Sequence, residues 1–233
     1  MPIEWPIASS FGQLYTSPNL DKWRWNGYAW DNLSLQSSGN YGGSWVIFDR
    51  VWNPTYYSTL QLALAGAIPG DTIYLCCDTT ETYTLTTAIA LKNGVNLNLN
   101  GNKYTFVFSG TSSSSGLRTP LEKGSLKIQN GTIEFSNIGD RYGIFIVTNT
   151  EADCTGLTVT SSSPSATVLV YGSIKGGSYF NTATTTFAAG IYILAGSASW
   201  INADDPKNYA RDIKGWSLNG PGVQISATLS LYE

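Results

Sequence analysis

Carboxylates are the side chains of this sequence best suited to acid–base chemistry, because the 233 residues include no histidine. Asp204 and Asp205 are adjacent and precede Pro206, a pattern typical first of a turn and only second of a functional acid pair. Glu151 and Asp153 are one residue apart and can share one face of a strand. Nothing basic or aromatic accompanies them in the sequence, so we expect both to be solvated. A glycosidase needs two carboxylates roughly 5–9.5 Å apart, and acids distant in the sequence could still converge.

A segment toward the C-terminal end, residues 199–211, combines aromatic, acidic and basic side chains and is a better functional candidate than any acid pair. Aromatic rings can stack on sugar rings, while carboxylates and guanidinium groups hydrogen-bond to hydroxyls. Loops also carry binding residues more often than strands do. The candidate contacts for a receptor or glycan are Trp200, Asp204, Asp205, Tyr209, Arg211 and the nearby Trp216. Alternatively, Trp200 and Trp216 cover the side of the fold or pack against a sister chain.

The composition argues against several classes of function. Without histidine, the chain lacks the commonest general base and every Ser-His or Cys-His arrangement. Its three cysteines have no metal-ligand spacing, so we expect them to be reduced, with Cys76 and Cys154 in the core. The net charge of −3 argues against wrapping nucleic acid. We therefore predict no catalytic residues, no metal, no cofactor and no nucleic-acid partner.

The N-terminal residues have neither the basic segment nor the apolar segment of a signal peptide. No apolar run approaches the ~18 residues that a membrane-spanning helix requires. We expect synthesis in a cytoplasm, no membrane insertion and no standard secretion.

Residues 1–57 are rich in tryptophan and include a predicted hairpin. Two aromatic-bearing strands flank Asn26-Gly27, which is the strongest short signal for a hairpin turn. A few small strands cannot bury so many indole rings alone. The region either docks on another molecule or forms a mini-core on the chain's own second domain. The candidate attachment residues are Trp23, Trp25, Tyr28 and Trp30.

Residues 58–233 contain an internal repeat that predicts a solenoid. Short apolar strands recur in two interleaved series with a period of about two dozen residues. One series includes Ile144, Val168, Ile191 and Val223. Strands one period apart should pair in parallel and stack their inward side chains, with Gly and Asn at the corners in positive φ. The length predicts roughly six or seven coils.

A short helix is predicted over 58–68, at the start of this repeat. Thr59 can cap it, its apolar residues fall on one face, and Pro69-Gly70 ends it. The helix would cap the N-terminal end of the solenoid. No comparable cap follows the final apolar run, so that edge must be covered by another chain or stay short enough to be tolerated.

Two stretches resemble known families. The run from Leu60 to Leu75, an apolar helix followed by a Gly-Asp-Thr-Ile strand, resembles the entry of right-handed parallel β-helix proteins of the pectin-lyase-like kind. The run from Lys22 to Trp30 is similar to a Trp-x-Gly-x-x-Trp hairpin of bacteriophage tail and fibre proteins. Taken together, the two stretches resemble a bacteriophage tail fibre or tailspike protein.

The resemblance implies an all-β fold, with a virion-attachment region over 1–57 and a right-handed parallel β-helix over 58–233. It implies a homotrimer in the virion, joined to other virion proteins through 1–57 and facing a host-surface glycan. We expect a structural protein rather than an enzyme. The alternative is a polysaccharide-degrading lyase or glycosidase on the same kind of spike, and a bacterial surface adhesin comes third. We also expect a chain beginning at Tyr57 to stay folded.

Overall fold

The computed structural model describes most of the chain from Gly43 onward and three short segments before it. The described residues are 13–16, 22–25, 30–32, 43–49, 53–84, 88–109, 115–136, 142–148, 150–186, 188–194, 210–211 and 213–226. Within these ranges the regular secondary structure is strand, apart from a single helix, so the predicted all-β class is confirmed.

The three segments before Gly43 form a small antiparallel sheet. Its strands are β1 (Leu14–Thr16), β2 (Lys22–Trp25) and β3 (Trp30–Asn32), with β2 in the middle. Trp25 lies opposite Trp30, so the two aromatic strands pair as the hairpin prediction requires. The Asn26-Gly27 turn between them lies outside the described residues.

Three further sheets build the rest of the fold, and from β6 onward successive strands go to the three sheets in turn. The first sheet contains, in spatial order, β5 (Pro54–Tyr57), β4 (Trp45–Phe48), β6 (Thr72–Leu75), β9 (Asn96–Asn98), β12 (Gly124–Gln129), β15 (Thr150–Asp153), β18 (Ser173–Lys175) and β21 (Ala210–Arg211). The second contains β7 (Thr79–Tyr83), β10 (Lys103–Phe108), β13 (Gly131–Ser136), β16 (Leu157–Ser161), β19 (Ser178–Asn181) and β22 (Lys214–Ser217). The third contains β8 (Ile89–Ala90), β11 (Leu117–Arg118), β14 (Ile144–Ile146), β17 (Ala166–Val170), β20 (Ala189–Leu194) and β23 (Val223–Ser226).

Neighbouring strands of the third sheet pair in parallel in the predicted register. Val168 lies opposite Ile144 on one side and Ile191 on the other, and Ile191 lies opposite Val223. The first three are buried, because alternate residues of a strand point to the interior and stack from strand to strand. The β-solenoid is therefore confirmed. Its right-handed sense and the number of six or seven coils stay predictions, since connections such as 137–141 and 195–209 lie outside the described residues.

The corners of the solenoid use the residues that the sequence pattern indicates. Positive φ suits glycine, which has no Cβ to clash, and to a lesser degree asparagine. The corner residues with positive φ include Asn100, Gly101, Asn130, Gly156 and Gly176. The four changes of direction from β9 to β10, β12 to β13, β15 to β16 and β18 to β19 thus have a local backbone cause.

The predicted helix is present as α1 (Leu60–Gly66), with Thr59 as its N-cap. The Thr59 hydroxyl accepts a hydrogen bond from Leu62 N at 3.2 Å. Leu60 and other apolar residues of one helical face are buried in the main core. At the far end, Lys92 Nζ donates to the carbonyl oxygens of Ala65 and Ala67 at 3.1 and 2.9 Å, which places a cation where the helix exposes unpaired carbonyls. That the helix caps the solenoid stays a prediction.

A buried carboxylate joins this helix to three strands. Glu81 of β7 is 7% exposed and accepts hydrogen bonds from Leu60 N, at 3.2 Å to both carboxylate oxygens. Trp45 Nε1 and the Tyr83 hydroxyl donate to the same carboxylate, and the Tyr104 hydroxyl donates at 3.2 Å. Buried charge is costly unless several donors satisfy it, so this cluster fixes the relative positions of β4, α1, β7 and β10.

Part of the predicted attachment region belongs to the solenoid. Strand β4 pairs antiparallel with β6, and Trp45 lies opposite Leu75. Trp45 is fully buried, with its ring edge-on to Tyr104 at 5.0 Å between centroids. For Trp45, the interpretation as a core on the chain's own second domain is correct. The expectation that a chain beginning at Tyr57 stays folded is therefore withdrawn, because such a chain lacks β4 and the Trp45 side chain.

We expect Glu81→Ala to lower the free energy of unfolding by at least about 3 kcal/mol, because several buried donors each lose an acceptor at about 1–3 kcal/mol. Glu81→Gln keeps one oxygen acceptor and should cost less. Urea unfolding followed by circular dichroism measures both. The control is Glu134→Ala, which removes a partly exposed ion pair with Lys103 and should change stability by no more than about 1 kcal/mol. Equal losses for Ala at 81 and 134 would contradict the role of Glu81.

A chain beginning at Gly43 should remain folded, whereas a chain beginning at Ser58 should aggregate or melt at a much lower temperature. The first keeps β4 and the Trp45–Glu81 hydrogen bond, and the second leaves the edge of β6 unpaired. Thermal unfolding by circular dichroism and the soluble yield provide the comparison, with the two chains as each other's controls. Equal melting temperatures would show that β4 contributes nothing to the core.

Candidate functional site

The predicted receptor-contact residues lie partly outside the described chain. Trp200, Asp204, Asp205 and Tyr209 are among the residues that the structure does not describe. Arg211 lies in β21, at the edge of the first sheet and opposite Lys175, rather than in an excursion. Trp216 lies in β22 of the second sheet. The structure thus assigns Arg211 and Trp216 to different sheets and does not bring them together as strand neighbours.

Trp216 lies on the side of the solenoid, and its role as a receptor contact stays a prediction. It lies opposite Phe180 on the outer face of the second sheet, with ring centroids 6.2 Å apart and planes inclined by 50°. It is nevertheless 46% exposed. The indole therefore covers part of the solenoid side while leaving a large part of its ring accessible for a partner.

The predicted attachment residues lie on the N-terminal sheet. Trp23 and Trp25 are in β2 and Trp30 is in β3, whereas Tyr28 lies outside the described residues. Trp25 is half-buried, and its backbone N donates to Gln13 O at 2.9 Å. Their role in attachment stays a prediction.

The acids Glu151 and Asp153 line a groove of about 350 Å³ on the outer face of the first sheet. Asn96 and Lys127 line it from the two preceding strands of that sheet. Asp153 lies opposite Lys127 on one side and Lys175 on the other. No basic residue lies beside these acids in the sequence, and both acids are half-buried rather than fully solvated. Parallel pairing, and not the adjacent sequence, supplies the lysines.

Asp153 is held in its ionised form. Burial by itself raises the pKa of this carboxyl. Hydrogen bonds from Thr155 Oγ1 at 2.7 Å and Thr155 N at 3.0 Å, with the positive charge of Lys175, hold the pKa below its ordinary value. An ionised carboxylate can accept hydrogen bonds or act as a base, but a general acid must carry a proton.

A third set of residues, which the sequence reasoning missed, forms a row on the outer face of the third sheet. Phe145 lies opposite Arg118 on one side and Leu169 on the other, and Leu169 lies opposite Tyr192. Leu169 points outward between the inward Val168 and Val170, yet it is only 5% exposed. Neighbouring side chains of the same face must therefore cover it.

Two more tyrosines extend this row sideways. The ring of Tyr171 packs edge-on to Phe145 at 5.4 Å between centroids. Burial raises the pKa of Tyr142, and electrostatic interaction with Tyr171 and Tyr192 raises it further. We call this surface the aromatic face. It consists of Tyr142, Phe145, Leu169, Tyr171 and Tyr192, with Arg118 at one end.

The arrangement suits binding better than covalent chemistry. The Cys154 thiol is 1% exposed, and burial raises its pKa to about 12, so it is neither a thiolate nucleophile nor a metal ligand. Its predicted place in the core is confirmed, whereas Cys76 is only half-buried. In the part of the chain that the structure describes, no three His, Cys, Asp or Glu residues are grouped so that they could hold a metal ion.

No family model, curated protein or solved structure matches this chain. Among the described residues, none of the helices has the length and apolar character needed to cross a membrane.

The aromatic face has a sequence signal that was available but not used. The repeat places an outward residue between two inward apolar ones, and an outward position normally carries a polar side chain. At this position successive repeats have Phe145, Leu169 and Tyr192 instead. Three apolar or aromatic residues at an outward position indicate a contact surface rather than a solvated face.

Proposed function

We propose that this chain is a structural fibre or spike subunit of a bacteriophage particle. The supporting observation is the combination of a parallel β-solenoid with a separate antiparallel sheet that carries Trp23, Trp25 and Trp30. The solenoid supplies a stiff, repetitive body, because each strand is held by parallel neighbours. The aromatic sheet supplies apolar surface that a small sheet cannot bury alone. Attachment to other virion proteins would use this sheet, and the solenoid would face the host.

We further propose that the subunit is a right-handed parallel β-helix of six or seven coils and that it forms a homotrimer. Three exposed large apolar side chains lie in the last two strands of the described solenoid: Trp216 at 46%, Leu218 next to β22 at 50%, and Val223 at 40%. Val223 lies opposite the buried Ile191, so it continues an interior column of side chains that has no described neighbour beyond it. Cyclic association would bury these side chains three times over.

We expect epitope-tagged chains to be incorporated into particles made by the phage-infected host, with a tag after Glu233 accessible to gold-labelled antibody. Replacing both Trp23 and Trp25 by alanine should abolish incorporation, because the attachment sheet loses its apolar surface. Incorporation is measured by electron microscopy of purified particles, and Leu62→Ala, an exposed apolar position on α1, is the control that keeps this sheet intact. Particles that never carry the tag, in any variant, would refute the virion proposal. If a tag is accessible only when placed before Met1, the N-terminal end faces away from the particle, which contradicts attachment through the N-terminal sheet.

Light scattering of the whole chain should give three times the mass of one chain. Replacing Trp216 and Leu218 by serine should raise the concentration of half-dissociation at least about tenfold, which for a trimer is a hundredfold change in the dissociation constant, or about 2.8 kcal/mol per trimer. The matched control is Leu62→Ser, since Leu62 is 53% exposed on the outer face of α1 at the opposite end. A stable monomer of the unaltered chain at micromolar concentration would contradict the trimer.

The groove on the first sheet gives the rival proposal, a polysaccharide-degrading enzyme, a specific basis. Glu151 and Asp153 lie two residues apart on one strand, so their positions are separated by about 6.5 Å. That spacing is near the lower limit of ~6.5–9.5 Å between the carboxylates of inverting glycosidases. Oligosaccharide released from host capsule or lipopolysaccharide, and lost in Asp153→Asn, Asp204→Asn or Asp205→Asn, would favour the enzyme.

A further inference from the structure

We propose that the aromatic face of the third sheet binds an oligosaccharide that carries carboxylate groups. This inference rests on the proposed function in one respect, since it names the chemistry of the host-surface ligand and moves its site away from residues 199–211. The row through Arg118, Phe145, Leu169 and Tyr192 is held on neighbouring parallel strands, so its geometry is fixed by the solenoid and not by a loop.

The geometry of the face suits a linear ligand. Phe145, Leu169 and Tyr192 are consecutive neighbours across the third sheet, and neighbouring strands lie about 4.8 Å apart. The row therefore runs along the axis of stacking, perpendicular to the strands. A chain of sugar rings laid along the row can contact Phe145 and Tyr192 in turn, while Leu169 lies buried between them, so that several weak contacts add up.

The side chains of the face match the two kinds of surface on a sugar. The faces of the Phe145, Tyr171 and Tyr192 rings offer apolar area for the C–H side of a pyranose. All three rings are half-buried, so each has an accessible portion while its neighbours restrict its orientation. The face also includes three tyrosine hydroxyls, and each hydroxyl can donate to or accept from a sugar hydroxyl.

Arg118 supplies the preference for a carboxylate. It lies beside Phe145 at one end of the row, and its Nε is buried without a hydrogen-bond acceptor in the described chain. A buried donor without an acceptor destabilises the free protein. A carboxylate on the ligand can accept two parallel hydrogen bonds from a guanidinium group once the side chain turns toward it. Binding would then give the Arg118 Nε the hydrogen-bond acceptor that it lacks in the free protein.

The same arginine argues against a second copy of this chain as the occupant. In a rotationally symmetric association with parallel axes, equivalent residues meet at equal height around the axis. The Arg118 side chains of all copies would then face one another, and like charges across an interface disfavour it. Nucleic acid is also disfavoured, because the described face contains a single cation and the chain has a net charge of −3.

The experiment is isothermal titration of the whole chain with two probes of equal length, a hexamer of galacturonate and the neutral maltohexaose. We expect the galacturonate hexamer to bind at least tenfold more tightly, with affinity that falls as salt is added. Tyr192→Ala and Phe145→Ala should each lower the affinity for both probes at least tenfold. Tyr192→Phe should keep most of the affinity. Arg118→Gln should abolish the preference for the acidic probe, and Arg118→Lys should restore part of it.

The matched control is Leu62→Ala, which removes an exposed apolar side chain from α1, outside the third sheet, and should leave both affinities unchanged. Circular dichroism of each variant separates lost binding from lost folding. The proposal is overturned if neither probe binds the unaltered chain, if Leu62→Ala abolishes binding, or if Arg118→Gln leaves the preference intact. It is also overturned if Tyr192→Ala lowers the mass in light scattering, since a second copy would then occupy the face. Particle labelling tests the virion role separately, so either proposal can fail while the other stands.

Discussion

The Glu81 carboxylate is the one contact on which the start of the solenoid depends. It accepts hydrogen bonds from the Trp45 indole, the Leu60 backbone and two tyrosine hydroxyls. Burying a carboxylate costs several kcal/mol unless donors surround it. Strand β4, helix α1 and the first strands of the second sheet therefore have to be in place together. Every later strand adds to this assembled end through parallel pairing.

Because the strands pair in parallel register, the repeat in the sequence produces continuous surfaces on the outside of the solenoid. A residue lies beside its counterpart one repeat on, so each outward position becomes a row across the sheet. The three outer faces differ in chemistry: the first alternates lysines with acids around Asp153, the second is rich in threonine and ends at Trp216, and the third carries the aromatic face. One scaffold can thus present a polar groove and an aromatic surface without changing its core.

The sequence predicted well those features that depend on local periodicity. The helix beginning at Leu60, the pairing of the strands that carry Trp25 and Trp30, and the column of Val168 and Ile191 follow from spacing alone. The lysines beside Asp153 could not be found in that way, because they lie 26 and 22 residues away along the chain and become neighbours only through register. Treating all of 1–57 as an attachment region failed for Trp45 for the same reason.

What the sequence determined by itself is the class of the fold: an all-β solenoid in which apolar residues at alternate positions require an interior and asparagine or glycine allows the corners. Only the tertiary structure decided which outward residues meet. Side chains such as Arg118, Phe145 and Tyr192 are more than twenty residues apart, and each looks like an isolated surface residue in the sequence. They form one surface because hydrogen bonding between parallel strands sets their register, and that register is a property of the stacked chain rather than of any single strand.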